Sequence, residues 1–426
     1  MVKENKKPRE RDIYIWNIVG SLTNAMFSVV ILMFVARSLN ENQADLFSIA
    51  WSISQLMVII GTFQIRTYQA TDIKGKYNFK QYFYFRIFTI IIMMISSAVY
   101  VYARGYNTYK MIIIMIMCAV RAVEALADVY EGWFQQKERL DLAGKSITYK
   151  IIITIVVYGI VLFFTKDLLL SSIALLLCYL ISFVIYNVRY GSFVEGIFDG
   201  TSTKLSWKWV SQLLMEGLPI FVNAFLVMSI MNAPKMALDS AIESGLMSDG
   251  IQTAFNILFM PASFINLAYI VFRPMITKMA MAWNQGKAKK LVAILMKIEI
   301  CLLGTGMIIL VGSALVGIPI LSMIYGIDLT GYGKHLLIII AGGCFYTFAS
   351  VFDNALIAMR KHYTLIVAYV ITWLYVTIAV NRLVICMGVM GAALAYTTSM
   401  MVFLLCAIVI FIIYFNKVKK SEAISK

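Results

Sequence analysis

The chain has 426 residues, of which 61% are hydrophobic and only 14% are charged, and its formal net charge is +15. Soluble proteins contain about 25% charged residues, and the mean hydropathy here is +0.82, so the composition excludes an ordinary soluble enzyme and indicates an integral membrane protein. Six cysteines lie inside apolar runs, and the two histidines, His335 and His362, lie at the ends of such runs. We therefore predict neither a disulfide framework nor a metal site.

In chain order, apolar runs separated by clusters of charged residues, glycine, asparagine and proline predict an all-α integral membrane protein with about twelve transmembrane helices. The predicted spans lie near 13–36, 46–65, 82–103, 111–133, 147–164, 168–188, 210–232, 251–272, 291–316, 336–358, 363–381 and 389–415. The basic N-terminus leads directly into an apolar run that is too long for the core of a cleaved signal peptide. We therefore interpret this run as a retained first span.

The distribution of basic residues predicts the orientation. Of the 37 Lys and Arg residues, 27 fall on the side that holds both termini, seven fall on the other side, and Arg86, Arg121 and Lys297 lie inside spans. Because cytoplasmic loops carry the excess of basic residues, both termini are predicted to be cytoplasmic. The net charge then reflects topology and does not indicate a nucleic-acid partner, although a basic N-terminal arm on anionic lipid fits the same residues.

The twelve spans divide into two groups of six on either side of the loop near 189–209. This division predicts an N-terminal six-helix lobe over 1–200 and a C-terminal six-helix lobe over 201–426. Because six is even, both halves enter the membrane in the same direction and would be parallel repeats. All prolines except Pro8 lie in the second half, where Pro219 and Pro261 either bend their helices or only mark helix ends.

The fourth span carries four charges on one face. At 100° per residue, Arg121, Glu124, Asp128 and Glu131 lie within a wedge of roughly 80°. A charge at the bilayer centre costs about 3 kcal/mol on insertion scales, so this face cannot contact lipid. Two interpretations of this charged face are consistent with the sequence. The stripe lines a polar cavity open to the cytoplasm, or it is a buried ion network in which Arg121 pairs with Glu124 and Arg86 of the third span balances another acid.

Other charges in the apolar runs give weaker signals. Lys235 and Asp239 are one turn apart at the outer end of the seventh span, where a surface pair is the simpler interpretation. Lys297 lies close enough to the cytoplasmic end of the ninth span to extend its ammonium to the interface. The chain has no phosphate-binding G-x-x-x-x-G-K-[ST] motif, no long external loop and no catalytic constellation, so we do not expect an enzyme.

Four phrases resemble a known family. They are M-N-A-P-K-M-A-L-D (Met231 to Asp239), D-V-Y-E-G-W-F-Q-Q-K-E-R (Asp128 to Arg139), G-A-A-L-A-Y (Gly391 to Tyr396) and the segment from Phe255 to Pro274. The chain resembles the Wzx-type polysaccharide flippases of the multidrug/oligosaccharidyl-lipid/polysaccharide exporter (MOP) superfamily. The resemblance implies two six-helix lobes in a V-shaped, alternating-access transporter of a bacterial plasma membrane. It also implies a substrate of undecaprenyl-diphosphate-linked oligosaccharide moved from the cytoplasmic to the outer leaflet.

Together, the charges and the resemblance suggest a site. A diphosphate needs Arg or Lys in a low-dielectric groove, and the candidates are Arg121, Arg86, Lys235 and Lys297. The acids Glu124, Asp128, Glu131 and Asp239 would either position these cations or carry a coupling H+ or Na+. No cofactor is expected. The expected partners are membrane lipids and the polymerase and glycosyltransferases of the same pathway, and we expect a monomer.

Alternative functions remain open at this stage. A multidrug or cation antiporter of the same superfamily would share the architecture and would use the cavity acids to bind cationic drugs. A polysaccharide polymerase or ligase would also span the membrane many times, but such enzymes are expected to use a large external loop, which is absent here. A non-transporting scaffold would have no structural need for charges inside its spans.

Overall fold

The computed structural model describes residues 8–72, 75–197, 206–270, 272–359 and 361–424, and all regular structure within them is helical. The earlier helices are α1 (Glu10–Ser38), α2 (Glu41–Thr62), α3 (Ile65–Thr71), α4 (Phe79–Ala103), α5 (Thr108–Gln136), α6 (Leu140–Thr165) and α7 (Leu168–Ser182). The later helices are α8 (Trp207–Glu243), α9 (Ile251–Leu258), α10 (Met260–Ile270), α11 (Arg273–Asn284), α12 (Ala288–Gly312), α13 (Ile318–Tyr325), α14 (Gly333–Ala358) and α15 (Leu365–Ile424).

The predicted spans lie on these helices. Nine helices in the described part of the chain are long and apolar enough to cross a membrane. Helix α5 is not among them because of its charges, the eighth predicted span is divided between α9 and α10, and the last two predicted spans lie within α15. That helix is interrupted at Gly388, whose φ of 59° and ψ of −133° are not helical. Glycine tolerates this conformation because it has no Cβ.

Short polar residues begin several of the helices. The side chains of Asn40, Asn107 and Asp167 each accept a hydrogen bond from a backbone N–H in the first turn of the helix that follows. Asn78 and Gln81 form a reciprocal capping box at the start of α4. These caps satisfy N–H groups that have no partner inside the helix, so the loop residues determine where the apolar helices begin.

The two candidate bending prolines have different surroundings. Pro261 is the second residue of α10, directly after the chain leaves α9 at Phe259. Pro219 lies within α8, which is helical from Trp207 to Glu243. A further proline, Pro319, follows a π-helical turn over Ser313–Gly317. A second π-helical turn, Phe183–Val188, continues α7.

Contacts between residues divide the chain into two compact units, Met1–Met228 and Ser229–Lys426. The division falls within α8. The boundary predicted at 200/201 lies in the segment 198–205, outside the described residues, and stays a prediction.

In the first unit, α5 packs against α2, α3, α4, α6 and α7, and α1 packs along α6. Helices α1 and α6 cross at two glycines, where a Cβ on Gly20 would lie 3.0 Å from Cα of Gly144. Close approach of backbones at small residues is typical of membrane helices. An aromatic cluster that includes Phe85, Tyr130 and Trp133 surrounds the C-terminal turns of α5, so the central helix of this unit is fixed by packing on several sides.

In the second unit, α14 packs against α10, α12 and α15. The ring of Phe259 lies 4.4 Å from that of Tyr396 in an edge arrangement. A Cβ on Gly342 of α14 would lie 2.6 Å from the Tyr396 ring, and Oγ1 of Thr397 donates to the carbonyl of Ile338 at 2.7 Å. The glycine therefore makes room for an aromatic ring that joins α14 and α15 to the junction between α9 and α10.

Candidate functional site

Helix α5 carries the candidate site. It is helical without interruption from Thr108 to Gln136, so its 3.6-residue period keeps Arg121, Glu124, Asp128 and Glu131 on one side. This side faces the other helices of the first unit, because the partners of these four side chains come from α2, α3, α4, α6, α7 or α5 itself.

Asp128 is held by two arginines from two different helices. Its Oδ1 lies 3.0 Å from Nη1 of Arg66 on α3, and its Oδ2 lies 2.7 Å from Nη2 of Arg86 on α4. Arg86 is completely buried, and its Nη1 also donates to the carbonyl of Gly61 at 2.9 Å. A buried guanidinium needs such partners because desolvation of an unpaired charge costs several kcal/mol. Asp128 is therefore the anchor that allows Arg86 to be buried.

Arg66 joins two acids of the stripe. The same Nη1 that contacts Asp128 lies 3.0 Å from Oε2 of Glu131. Burial by itself lowers the pKa of Arg66, but the attraction of Asp128 and Glu131 outweighs burial, and the pKa of Arg66 is raised above its ordinary value. The two acids therefore stabilise the charged form of this guanidinium.

Arg121 occupies the other end of the stripe. Its Nη1 donates to Oε2 of Glu124 at 2.5 Å, its Nε lies 3.4 Å from Oγ of Ser54, and its guanidinium carbon lies 4.4 Å from the ring centroid of Trp51. The Arg121 side chain is 7% exposed, whereas that of Glu124 is 31% exposed. Nη2 of Arg121 is buried and has no hydrogen-bond partner among the described residues. One edge of this guanidinium therefore retains a donor that no described residue uses.

Lys150 completes the network. It is buried on α6, and its Nζ lies 5.0 Å from the ring centroid of Tyr179. It attracts both Glu124 and Glu131 through space, without a direct ion pair to either acid. With Arg66, Arg86, Arg121 and Lys150, the network has four cations against the three acids of α5. The fourth span alone sums to −2, so the neighbouring helices reverse the sign of the site to +1.

The structure therefore brings together five of the eight predicted site residues, namely Arg86, Arg121, Glu124, Asp128 and Glu131. Both contacts of the ion-network interpretation are present, since Arg121 pairs with Glu124 and Arg86 pairs with an acid of α5. The side chains of Arg66 and Glu124, 30% and 31% exposed, are also where this network is most accessible. Whether these groups contact a substrate stays a prediction.

The three other predicted residues lie in the second unit. Nζ of Lys235 lies 4.9 Å from the ring centroid of Phe259, and Asp239, one turn further along α8, is buried. Lys297 is exposed on α12, as expected for a side chain that extends toward the interface. Roles for these three residues in substrate binding stay predictions.

Sequence reasoning does not identify Arg66 and Lys150 as members of the network. Hydropathy places Arg66 at the mouth of a span and Lys150 among the cytoplasmic residues. A signal for Lys150 is nevertheless present: Ser146, Lys150 and Thr154 recur every four residues, which indicates one polar face if the fifth helix begins before residue 147. The structure begins α6 at Leu140 and buries all three side chains.

Comparisons with known proteins identify a protein of similar sequence and solved structures of similar fold. No protein-family model matches the chain. The capsular polysaccharide biosynthesis protein CapF of Staphylococcus aureus is 23% identical over 394 residues, which cover 91% of this chain and 95% of CapF. This similarity extends over nearly the whole of both proteins.

Solved structures share the fold. The lipid II flippase MurJ in an inward closed conformation aligns with a TM-score of 0.67 at 14% identity, covering 92% of this chain and 86% of MurJ. An inward-facing multidrug resistance MATE family transporter of the MOP superfamily aligns with a TM-score of 0.64 at 13% identity, covering 95% and 99%. At sequence identities this low, the alignments show a shared fold and nothing further. The aligned residues extend over both units of the chain.

Proposed function

Since the chain is a multi-pass bacterial membrane protein with the transporter fold of the MOP superfamily, we propose that it is a flippase for undecaprenyl-diphosphate-linked oligosaccharide. In this proposal the lipid-linked repeat unit moves from the cytoplasmic to the outer leaflet, where surface polysaccharide is assembled. The capsule-related relative and the flippase among the structural neighbours support this substrate class. The neighbours are transporters and flippases, not enzymes.

The observation that carries the proposal is the positive sign of the ion network in the first unit. All three acids of α5 already attract cations of the protein itself, whereas Arg121 keeps a buried donor without a partner among the described residues. An anionic substrate group, such as a diphosphate, would use this donor, and the bidentate geometry of a guanidinium suits phosphate oxygens. The polyprenyl chain would stay in the bilayer during transfer.

A cationic drug is a poorer match to this network. It would have to displace Arg66, Arg86 or Arg121 from an acid, and an arginine left buried without its acid is costly. The antiporter function is nevertheless the main alternative, because MATE transporters share the fold. Coupling to H+ or Na+ through Glu124 or Glu131 belongs to the proposal and accounts for acids placed inside a span.

Depletion of the protein in its native host tests the proposal directly. We expect a polyprenyl-diphosphate oligosaccharide to accumulate in extracted lipids, as measured by mass spectrometry, while surface polysaccharide is lost. The mass of the glycan would identify the repeat unit. An unchanged lipid pool in a host without a second flippase, together with increased accumulation of cationic dye in the depleted cells, would instead establish the antiporter.

A further inference from the structure

The ion network of α5 has two parts that differ in how firmly their acids are held. Asp128 uses both carboxylate oxygens, each contacted by an arginine from a different helix. Glu124 is held by Arg121 through a single contact, and both residues lie on α5, three positions apart. Release of Asp128 would require α3 and α4 to change their packing, whereas release of Glu124 requires only a change of its own side-chain rotamer.

The surroundings of Glu124 lower the cost of its release from Arg121. Lys150 on α6 already attracts the Glu124 carboxylate, and its ammonium lies over the ring of Tyr179. Electrostatic interactions inside a membrane protein are only weakly screened, so the charge of Lys150 offsets part of the cost of releasing Glu124. The side chain of Glu124 is also 31% exposed, which leaves it room to move.

Arg121 is built to remain in place during such a change. Its guanidinium stacks on Trp51 and its Nε approaches Ser54, and neither contact involves Glu124. If Glu124 leaves, Nη1 becomes available beside Nη2, which already has no partner among the described residues. Two neighbouring nitrogens can then donate to one ligand that enters in place of the Glu124 carboxylate, and this is the arrangement in which arginine binds phosphate oxygens through two hydrogen bonds.

We propose that Glu124 is an internal counter-ion that occupies Arg121 in the unloaded protein and swings away from it when a phosphate group of the substrate takes Arg121. This inference rests on the proposed function and describes how its anion site is loaded and emptied. Glu124 is a positioning residue in this scheme, because it acts through Arg121 and not on the substrate. Its carboxylate competes with the substrate for Arg121, so it weakens binding and assists release.

Because Glu124 and the substrate compete for Arg121, removal of the Glu124 charge should tighten substrate binding. Glu124→Gln keeps the size of the side chain but removes the charge that competes for Arg121. We expect the purified full-length variant to bind farnesyl diphosphate at least about tenfold more tightly than the wild-type protein, since a charge-assisted hydrogen bond is lost from the unloaded state only. Cells that carry this variant should nevertheless export less polysaccharide, because release is slower. Isothermal titration calorimetry in detergent measures the affinity.

Matched controls separate competition from damage to the fold. Glu124→Asp keeps the charge and should bind farnesyl diphosphate within a few-fold of wild type. Glu138→Gln removes an exposed acid just beyond the end of α5 and should not tighten binding. Farnesol, which has the same tail without the diphosphate, should bind all variants equally. Arg121→Gln should lose the difference between farnesyl diphosphate and farnesol.

The outcomes distinguish the inference from the function on which it rests. If the wild-type protein binds farnesyl diphosphate through Arg121 but Glu124→Gln binds it no more tightly, the counter-ion exchange is wrong and the proposed function stands. If neither the wild-type protein nor Glu124→Gln prefers farnesyl diphosphate over farnesol, the anion site itself is wrong, and the proposed function loses the observation that carries it.

Discussion

Glu216, in the third turn of α8, accepts a hydrogen bond of 2.5 Å from Nζ of Lys76, although 140 positions separate the two residues. The hydroxyl of Tyr77 donates to the other carboxylate oxygen at 3.3 Å. Burial, followed by a hydrogen bond with Glu216, raises the pKa of Tyr68 to about 12. One carboxylate thus joins the start of α8 to the segment that follows α2.

This pair lies at the surface, so we expect it to specify position and to contribute little to stability. The Lys76 side chain is 49% exposed, and exposed pairs are screened by salt. Lys76→Glu places two like charges together and should lower the melting temperature slightly, more at low salt than at high salt. Adding Glu216→Lys to the same chain should restore the melting temperature. Differential scanning fluorimetry measures both, and a double variant no better than the single one would contradict a direct pair.

Removal of Arg86 should have a much larger effect. Arg86→Met takes away one of the two arginines that hold Asp128 and leaves a carboxylate with Arg66 alone in the interior of the first unit. Breaking a buried pair on one side costs about 3–5 kcal/mol, so we expect little folded protein in fluorescence-detected size-exclusion chromatography. The double variant Arg86→Met with Asp128→Leu should recover much of the loss. Arg382→Gln, at an exposed arginine, is the control.

The crossing of α1 and α6 should not accept a side chain. A Cβ on Gly144 would clash with the carbonyl oxygen of Trp16, so Gly144→Ala forces the two helices apart and should cost about 1–3 kcal/mol. Gly304→Ala is the matched control within a helix, because no described atom lies within 4 Å of the point that its new Cβ would occupy. The control should be neutral or stabilising. Equal melting temperatures for the two variants would contradict the close crossing.

Lys235 and Lys297, the two candidate substrate-binding lysines of the second unit, should differ in function. Lys235 lies over Phe259 within the unit, whereas Lys297 is exposed. If Lys235 contacts the anionic substrate, Lys235→Gln should reduce surface polysaccharide several-fold at unchanged protein level. Lys297→Gln should have the smaller effect. Immunoblotting of the polysaccharide, normalised to the amount of protein in the membrane fraction, measures the difference. A greater loss with Lys297→Gln would reverse the assignment.

The helices of this fold and the face that carries the charges follow from local patterns. Hydrophobic length predicts the spans, and the helical period places Arg121 and Asp128 on one side of α5 whatever the tertiary structure. Asn78 and Gln81 similarly carry the signal of a helix start. These features depend on residues close together in the chain, so the sequence alone is sufficient to predict them.

The partners of the charged face depend on contacts that no local pattern records. The chain turns after α2 through two residues with positive φ, Phe63 at 44° and Gln64 at 51°. This turn directs α3 along α5 and brings Arg66 to Asp128 and Glu131. Neither residue is a glycine or an asparagine, so the turn has no sequence signature. The sign of the site could not be predicted for this reason.

The neutralised acids of α5 also determine how the protein enters the bilayer. With five charged residues in its sequence, α5 alone is a poor substrate for lateral release into lipid, since each charge near the centre costs about 3 kcal/mol. Arg66 and Arg86 precede α5 in the chain, and both pair with it. We therefore expect α3 and α4 to stay beside α5 during insertion, so that this half of the chain enters the bilayer as a group of helices and not one helix at a time.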